Sequence, residues 1–513
     1  MKETERLKAL ESLQQDYNQL QADYERVQQE NALLQKALAQ AREQEAQAQE
    51  RIVKLQEDII HVIERVKRLE GQAAKDSHTS HKPPSSNGFK EPVRKTQSLR
   101  EKSGKKSGGQ PGHQGRTLMM VERPDEIITL TPTHCSRCQQ DLTETLISRA
   151  ERIQVFDLPP MFLKGTEYRA QVKACPCCQA ETRATLPDGI KAASVQYGPQ
   201  TKALAVYLAC LHLLPLARVC QILGDLLGSS CSQASVLAAC QEGATAIGPV
   251  LKRIKAALQN SSVLHNDETG FRSAKKRWWL HVASTRLLTL YLAHLKRGKE
   301  ATDAMEILPH FQGTSVHDTF GSYQQYGCTH ALCIAHSLRE LTFIHERYEQ
   351  LWAKEMKKLL REIKACVDQE RALGNACLPC PLQHAFGARY SRLVGQGLAA
   401  NPAPERKKGQ RGALRQGEAR NLLLRLHHYQ DQILRFMQDF AVPFDNNQAE
   451  SNLRMMKLRQ KISGCFRTKE GATIFCSLRS YLSTMQKQGI HLLTALRSAF
   501  VGSPLLPPLL AGE

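Results

Sequence analysis

The sequence predicts a multidomain α/β protein in which a mixed core is interrupted by a helical stretch. Three observations carry this reading. Residues 1–70 follow a heptad pattern, and two Cys-x-x-Cys pairs follow at Cys135/Cys138 and Cys175/Cys178. Strand-like runs then begin at Val263, and a long amphipathic stretch separates them from a second acid-bearing segment at Asp445. Alternating aromatic and aliphatic runs parted by polar turns mark strands, and apolar residues three or four apart mark helices.

At 513 residues the chain exceeds what one hydrophobic core organises. Lys and Arg number 70 against 50 Asp and Glu, a net charge of +20, which favours a polyanionic partner such as nucleic acid. No signal-peptide apolar segment follows the opening Met-Lys-Glu-Thr-Glu-Arg. The apolar run Ala203 to Ala217 is broken by His212 and Pro215 and is too short to span a bilayer. The expectation is a cytoplasmic, nucleoid-associated protein with no membrane segment. In that compartment the 16 cysteines point to metal binding rather than disulfides.

With Leu10 at an a position, the a series continues through Tyr17, Tyr24, Asn31, Leu38, Glu45, Ile52, Ile59 and Val66. The d series runs Leu13, Leu20, Val27, Leu34, Ala41, Ala48, Leu55, Val62 and Leu69. Such a seam extends about 90 Å and predicts a homo-oligomeric coiled coil, with Asn31 limiting its strand number. Residues 71–125 read as a basic flexible linker, since ten Lys or Arg face three acids between residues 71 and 116. Residues 126–190 hold the two cysteine pairs, which fit a closed structural zinc site of Cys135, Cys138, Cys175 and Cys178. Cys177 is then a spare thiol, and His113 and His134 are alternative ligands. Residues 191–250 read as short helices around a Gly228-Ser229-Ser230 turn, a helix-turn-helix-like DNA-binding arrangement.

The core begins at residue 251. Val263 to Arg272 is an expected strand carrying adjacent Asp267 and Glu268, followed by strands at Trp278–Ala283 and Leu287–Ala293. Gly298 to Phe311 reads as a helix, Gly313–Asp318 as a fourth strand, and His330 to Glu340 as a helix. Alternation turns Glu268 to the face opposite Asp267. Cys328, His330, Cys333 and His336 have metal-like spacing but are read as core and helix-end residues. Residues 346–440 are an expected helical insertion, in which Cys377, Cys380 and His384 leave a second zinc site open. Residues 441–490 return to the core, and 491–513 form a tail. Asp445-Asn446-Asn447 suit a helix cap, with Glu450 in the first turns and Arg454, Lys457 and Lys461 beyond it at helical spacing, near Arg459 and Arg467.

Taken together, these segments resemble the insertion sequence sixty-six family of bacterial transposases. The marks are Lys82-Pro83-Pro84-Ser85-Ser86, Gly108-Gly109-Gln110-Pro111-Gly112-His113, the cysteine pairs and His212-Leu213-Leu214-Pro215-Leu216-Ala217-Arg218. Further marks are Asp267-Glu268-Thr269, the Cys333/Ala335-His336/Arg339 segment and Asp445-Asn446-Asn447-Gln448-Ala449-Glu450. The order covers nearly the whole chain. Thr319-Phe320 follow Asp318 where the family more often has Gly-Tyr. The resemblance implies an RNase H-like core with Asp267, Asp318 and Glu450 as a DDE triad for magnesium or manganese. It further implies cleavage at transposon ends, strand transfer into target DNA, and small accessory proteins as partners. Arg218, Arg454, Lys457, Arg459, Lys461 and Arg467 are the expected DNA contacts. The competing readings are a catalytically inactive coiled-coil zinc DNA-binding protein and a purely hydrolytic nuclease.

Overall fold

The computed structural model describes residues 2–73, 118–404 apart from Pro160, Asp188, Lys191 and Ser229, then Leu414 and 416–511. The Lys82–Ser86 and Gly108–His113 motifs lie outside the described residues. The chain divides into two compact units, Met1–Thr79 and Ser80–Glu513. The first is a single helix, α1 (Lys2–Ala73). The heptad residues Leu10, Leu13, Tyr17, Leu20, Leu34 and Ile59 are all exposed along it.

From residue 118 the described part of the second unit is extended chain with two cysteine turns, the second of them carried by the hairpin β1 (Val172–Ala174) and β2 (Glu181–Arg183). Four helices follow. α2 (Pro199–Val206) runs into a π-helical turn at Tyr207–Leu211, and α3 (Leu216–Leu227) ends on Gly228 at φ 65°. That left-handed cap suits glycine, which has no Cβ to clash. α4 (Gln233–Ala246) starts at Ser232, whose hydroxyl accepts from Ser235 N, and α5 (Gly248–Gln259) leads to the sheet.

The sheet has five strands: β3 (Val263–Ser273), β4 (Lys276–Ser284), β5 (Thr289–His294), β6 (Thr314–His317) and β7 (Thr329–Leu332). Their order is β5-β4-β3-β6-β7, with the first three antiparallel and β6 and β7 parallel to β3. Two expectations are corrected here. The helix expected from Gly298 to Phe311 stops early: α6 (Lys299–Met305) ends at Glu306, φ 56°, and a 3-10 turn carries Leu308–His310. Pro309 lacks the amide hydrogen a continuing helix needs. His330–Leu332, expected as helix, is strand β7, and α7 (Ile334–Tyr348) starts only after Cys333. A short apolar run reads equally well as either element, and pairing with β6 decided it.

Beyond α7 come α8 (Leu351–Ala372), α9 (Cys380–Ala400), α10 (Glu418–His428) and the short α11 (Gln430–Ile433) and α12 (Arg435–Gln438). Their apolar faces form one core with β6, β7 and α7, joining Val316 and Leu332 to Trp352, Leu360, Tyr390 and Phe436. The helices expected as an insertion therefore complete the sheet's packing on that side. The other core joins α2–α5 and β3–β5 to α13 (Asn447–Ser463), α14 (Lys469–Lys487) and α15 (Leu492–Phe500). α14 also covers β5, because Ser480 and Thr484 hydroxyls accept from Tyr291 N (2.9 Å) and Thr289 N (3.0 Å). A last turn, α16 (Pro508–Ala511), closes the described chain.

Three strands meet at Gly313. Thr314 N donates to Ser262 O (2.8 Å), and Thr329 N donates to Gly313 O (3.1 Å). A Cβ there would lie 2.5 Å from Ser262 O, 2.6 Å from Ser261 O and 2.7 Å from the Phe311 ring. Two of these obstacles are backbone, which cannot swing away. Gly313→Ala is expected to destabilise the protein by about 2 kcal/mol or more, read as a lowered denaturation midpoint with unchanged slope. An unchanged midpoint would show that β6 and β3 can separate without cost.

Candidate active site

Register builds the site. Val263 pairs with Thr314, Leu264 with Ser315 and His265 with Val316; carried two residues past the last pair, that register sets Asp267 level with Asp318, and Asp318 acts electrostatically on Asp267. Asp318 follows directly after β6, with Oδ1 accepting from Phe320 N at 2.9 Å. α13 packs on the same part of the sheet, and Glu450 sits in its first turn. Asp267, Asp318 and Glu450 are half-buried residues, whereas the Glu268 side chain is sealed.

What holds α13 there is Asn446, buried at its start. Its Nδ2 donates to Asn266 O (2.8 Å), its Oδ1 pairs with His265 Nδ1 (2.8 Å), and its backbone N–H meets Cys333 Sγ (3.1 Å). The Asn446 side chain is thus not the helix cap expected from the sequence. Asp445 Oδ1 accepts from Asn447 N instead, at 3.1 Å. Asn446 ties the helix start to β3 and to the start of α7.

The charges are out of balance. Burial raises the Asp267 carboxyl well above its ordinary value, with Glu268, Asp318 and Glu450 adding to the rise and the Glu268 N–H opposing it. Asp318 is pushed up to about 7, by burial first and by Glu268 next, against the pull of the Phe320 N–H and Arg297. Burial also raises Glu450, while Arg339 and Arg454 hold it down. Glu268 has its own partners on the opposite face: Arg297, 2.7 Å from Oε1, and the Tyr323 hydroxyl on Oε2. Alternation along β3 thus puts the compensated Glu268 carboxylate and Asp267 on opposite faces of the strand.

Around Glu450, His336 Nδ1 lies 3.8 Å from Oε1 and Arg339 lies 3.9 Å from Oε2. Cys333, His336 and Glu450 have ligand atoms within 4.8 Å of one another, a group that can hold a metal ion. The sequence did show a Cys-x-x-His spacing here, but its meeting with Glu450 depends on a helix more than a hundred residues downstream. Arg297, Tyr323 and His265 carried no sequence signal at all.

The other expected site residues are placed as follows. Cys135 and Cys175 open two turns of like geometry, with Gln139 N and Gln179 N each donating to the cysteine carbonyl at 2.9 Å. Gln139 and Gln179 have φ 61° and 62°. Backbone N–H groups of Arg137 and Cys138, and of Cys178 and Cys177, pull the Cys135 and Cys175 thiols below their usual range. Among the described residues none of the expected metal sets, Asp267, Asp318 and Glu450, the four knuckle thiols, or Cys377, Cys380 and His384, forms a ligand group within 4.8 Å. Arg218, Arg454, Lys461 and Arg467 are exposed. Lys457 is instead engaged inside, donating to Gly270 O (3.2 Å), and burial lowers it to about 8. Arg459 stacks on Phe466 at 3.6 Å and donates to Gly464 O at 3.0 Å.

A family model described as "Transposase IS66 family" matches residues 194–474. One described as "Family of unknown function (DUF6444)" matches residues 34–118. No curated protein matches the chain. Among the described residues no helix is long and apolar enough to cross a membrane.

The raised carboxyls make stability depend on pH. Asp318 holds a proton in the folded state up to about 7, whereas an unfolded aspartate ionises near ~3.9, so its contribution is lost as pH rises through 7. Buried histidines with lowered values, such as His265 and His281, act only below about 6.5, where the unfolded chain gains protons. Between about pH 6.5 and 8 the Tm in chelator is therefore expected to fall, and Asp318→Asn to flatten that fall. Magnesium should restore Tm more at the upper end of this range. A profile identical in the two proteins would show that Asp318 does not titrate there.

Proposed function

The chain belongs to the Transposase IS66 family, and from that premise we propose that it is a DDE transposase cutting transposon ends and joining them to target DNA. The observation that carries the mechanism is the placing of Asp267, Asp318 and Glu450, half-buried residues whose carboxyls stand above their ordinary values, with Glu450 adding to the rise of the other two. Mutual repulsion of this kind is relieved by cations, and oxygen donors suit hard ones, magnesium or manganese. The three acids fit that role as ligands. When bound, a pair of such ions activates a nucleophile on one side of phosphorus and stabilises the leaving oxygen on the other.

The remaining residues have their own parts. Asn446 orients the helix that brings Glu450 to the strands. Arg297 and Tyr323 engage the Glu268 carboxylate, whose charge still raises Asp267 and Asp318, so that Glu268 is a supporting residue. His336 and Arg339 face Glu450, and Arg339 brings positive charge to the edge where a phosphate would lie. The sheet order, with acids on the long strand, after its parallel neighbour and on a following helix, supports an RNase H-like core. α3 and α4 with their glycine turn support the helix-turn-helix reading, and Arg218, Arg454, Lys461 and Arg467 remain the surface DNA contacts. The exposed heptad residues of α1 support a coiled-coil oligomer. The finer domain limits and the accessory partners belong to the same proposal.

The two cysteine turns support a zinc module of Cys135, Cys138, Cys175 and Cys178, completed when the turns come together on the ion. Cys175→Ser is expected to release one zinc per chain and weaken DNA-end binding while the catalytic core stays folded. Full retention of zinc, measured by elemental analysis, would remove the assignment.

The decisive experiment replaces each acid with its amide and measures strand cleavage and strand transfer in magnesium on DNA flanking the chain's own gene. Asp267→Asn, Asp318→Asn and Glu450→Gln should each lose both activities by about 10³-fold or more, some 4 kcal/mol of transition-state stabilisation, with DNA binding kept. Glu268→Gln should be milder. Cleavage without joining would make the protein a nuclease, and neither activity in the wild type would make it a DNA-binding protein only.

A further inference from the structure

The hairpin formed by β3 and β4 ends in a cluster of cations that the catalytic reading leaves unused. Arg272, Lys275, Lys276 and Arg277 are all exposed at its tip. From Thr269 to Thr285 the sequence contains no Asp or Glu. The register sets Arg272 directly opposite Arg277. Like charges facing across two strands destabilise a sheet, so the fold carries this pair at a cost.

Two further features show that the tip is rigid. Its turn residues Ala274 and Lys275 have φ 48° and 61°, left-handed values that residues other than glycine adopt at a penalty. The chain after α13 fastens the turn from the side: Ala274 N donates to Phe466 O (3.0 Å), Phe466 N to Arg272 O (3.3 Å), and Ser273 Oγ to Thr468 O (3.1 Å). The same segment adds exposed Arg467 and Lys469. On the strand face of Arg272 and Arg277 lies Trp279, with the Arg277 and Arg297 guanidinium groups 5.1 Å and 5.0 Å from its ring.

We propose that this hairpin tip is a clamp on the phosphate backbone of duplex DNA flanking the cut. The inference rests on the reading of the chain as a transposase and adds where the duplex runs. Asp267 and the turn lie on one continuous strand, roughly 25 Å apart at about 3.3 Å per residue. That reach corresponds to about seven base pairs from the scissile phosphate. Point-like lysines and a rigid turn hold a regular array of phosphates, and no base edge is read. The clamp therefore fixes the duplex direction without selecting its sequence.

The test is a salt series of binding to a duplex of about 40 base pairs, comparing the full-length protein with a variant carrying Ala at all four tip positions. The variant should bind at least about tenfold more weakly, with the log–log salt slope reduced by about three, and equally so on unrelated sequences. Arg272→Gln alone supplies a readout that misfolding cannot mimic: Tm should rise as the facing charges are relieved, while DNA binding falls. If the wild type binds duplex and the fourfold variant binds it with the same affinity and slope, the clamp is refuted and the transposase reading stands. Loss confined to anionic vesicles, with DNA binding kept, would refute it in favour of a membrane contact. A wild type that binds no duplex would overturn both.

Discussion

The site depends on one buried amide. Asn446 is distant in sequence from both β3 and Cys333, yet it bonds to His265, to the carbonyl of Asn266 and, through its own N–H, to the Cys333 sulfur. A buried polar group left without such partners costs about 1–3 kcal/mol, so the arrangement is far more specific than apolar packing alone. It sets where α13 begins, and Glu450 comes one turn later with its N–H on Asn446 O. The sheet supplies two acids by register. The third arrives only because this contact is made.

That division explains what the sequence made legible. Asp267 lies on a strand and Asp318 directly after one, and the alternation and turns of those strands are local properties of the chain, which a sequence displays. The opposite facing of Glu268 followed from the same period of two. The latch is different: an Asp-Asn-Asn run before a helix looks like a cap, and only three-dimensional neighbours reveal that Asn446 points into the sheet while Asp445 caps. Cys333 and His336 were visible as a spacing, but their nearness to Glu450 was not. His330–Leu332 was misread because so short a stretch fits a buried strand as well as a helix. Lys457 and Arg459 were expected at the surface because charge alone does not show that Phe466 and Gly270 O take up the cations.

The separation of charge between the two faces of β3 gives the site its character. Adjacent acids would be expected to behave alike, yet Arg297 and Tyr323 engage Glu268, while burial and repulsion raise Asp267. One carboxylate is thereby built into the fold, and the other carries a raised carboxyl without such partners' compensation.

The core shared by β6, β7 and α7–α12 has a consequence for the newly made chain. Domains are built from the N-terminus during synthesis, and Val316 and Leu332 remain without most of their covering until the helices up to Phe436 have emerged. Asn446 and Glu450 follow only after that. A ribosome that stops anywhere before α13 therefore releases a polypeptide with two of the three acids and nothing to bring a third to them. With α14 and α15 following later still, the arrangement of Asp267, Asp318 and Glu450 is completed only near the end of synthesis.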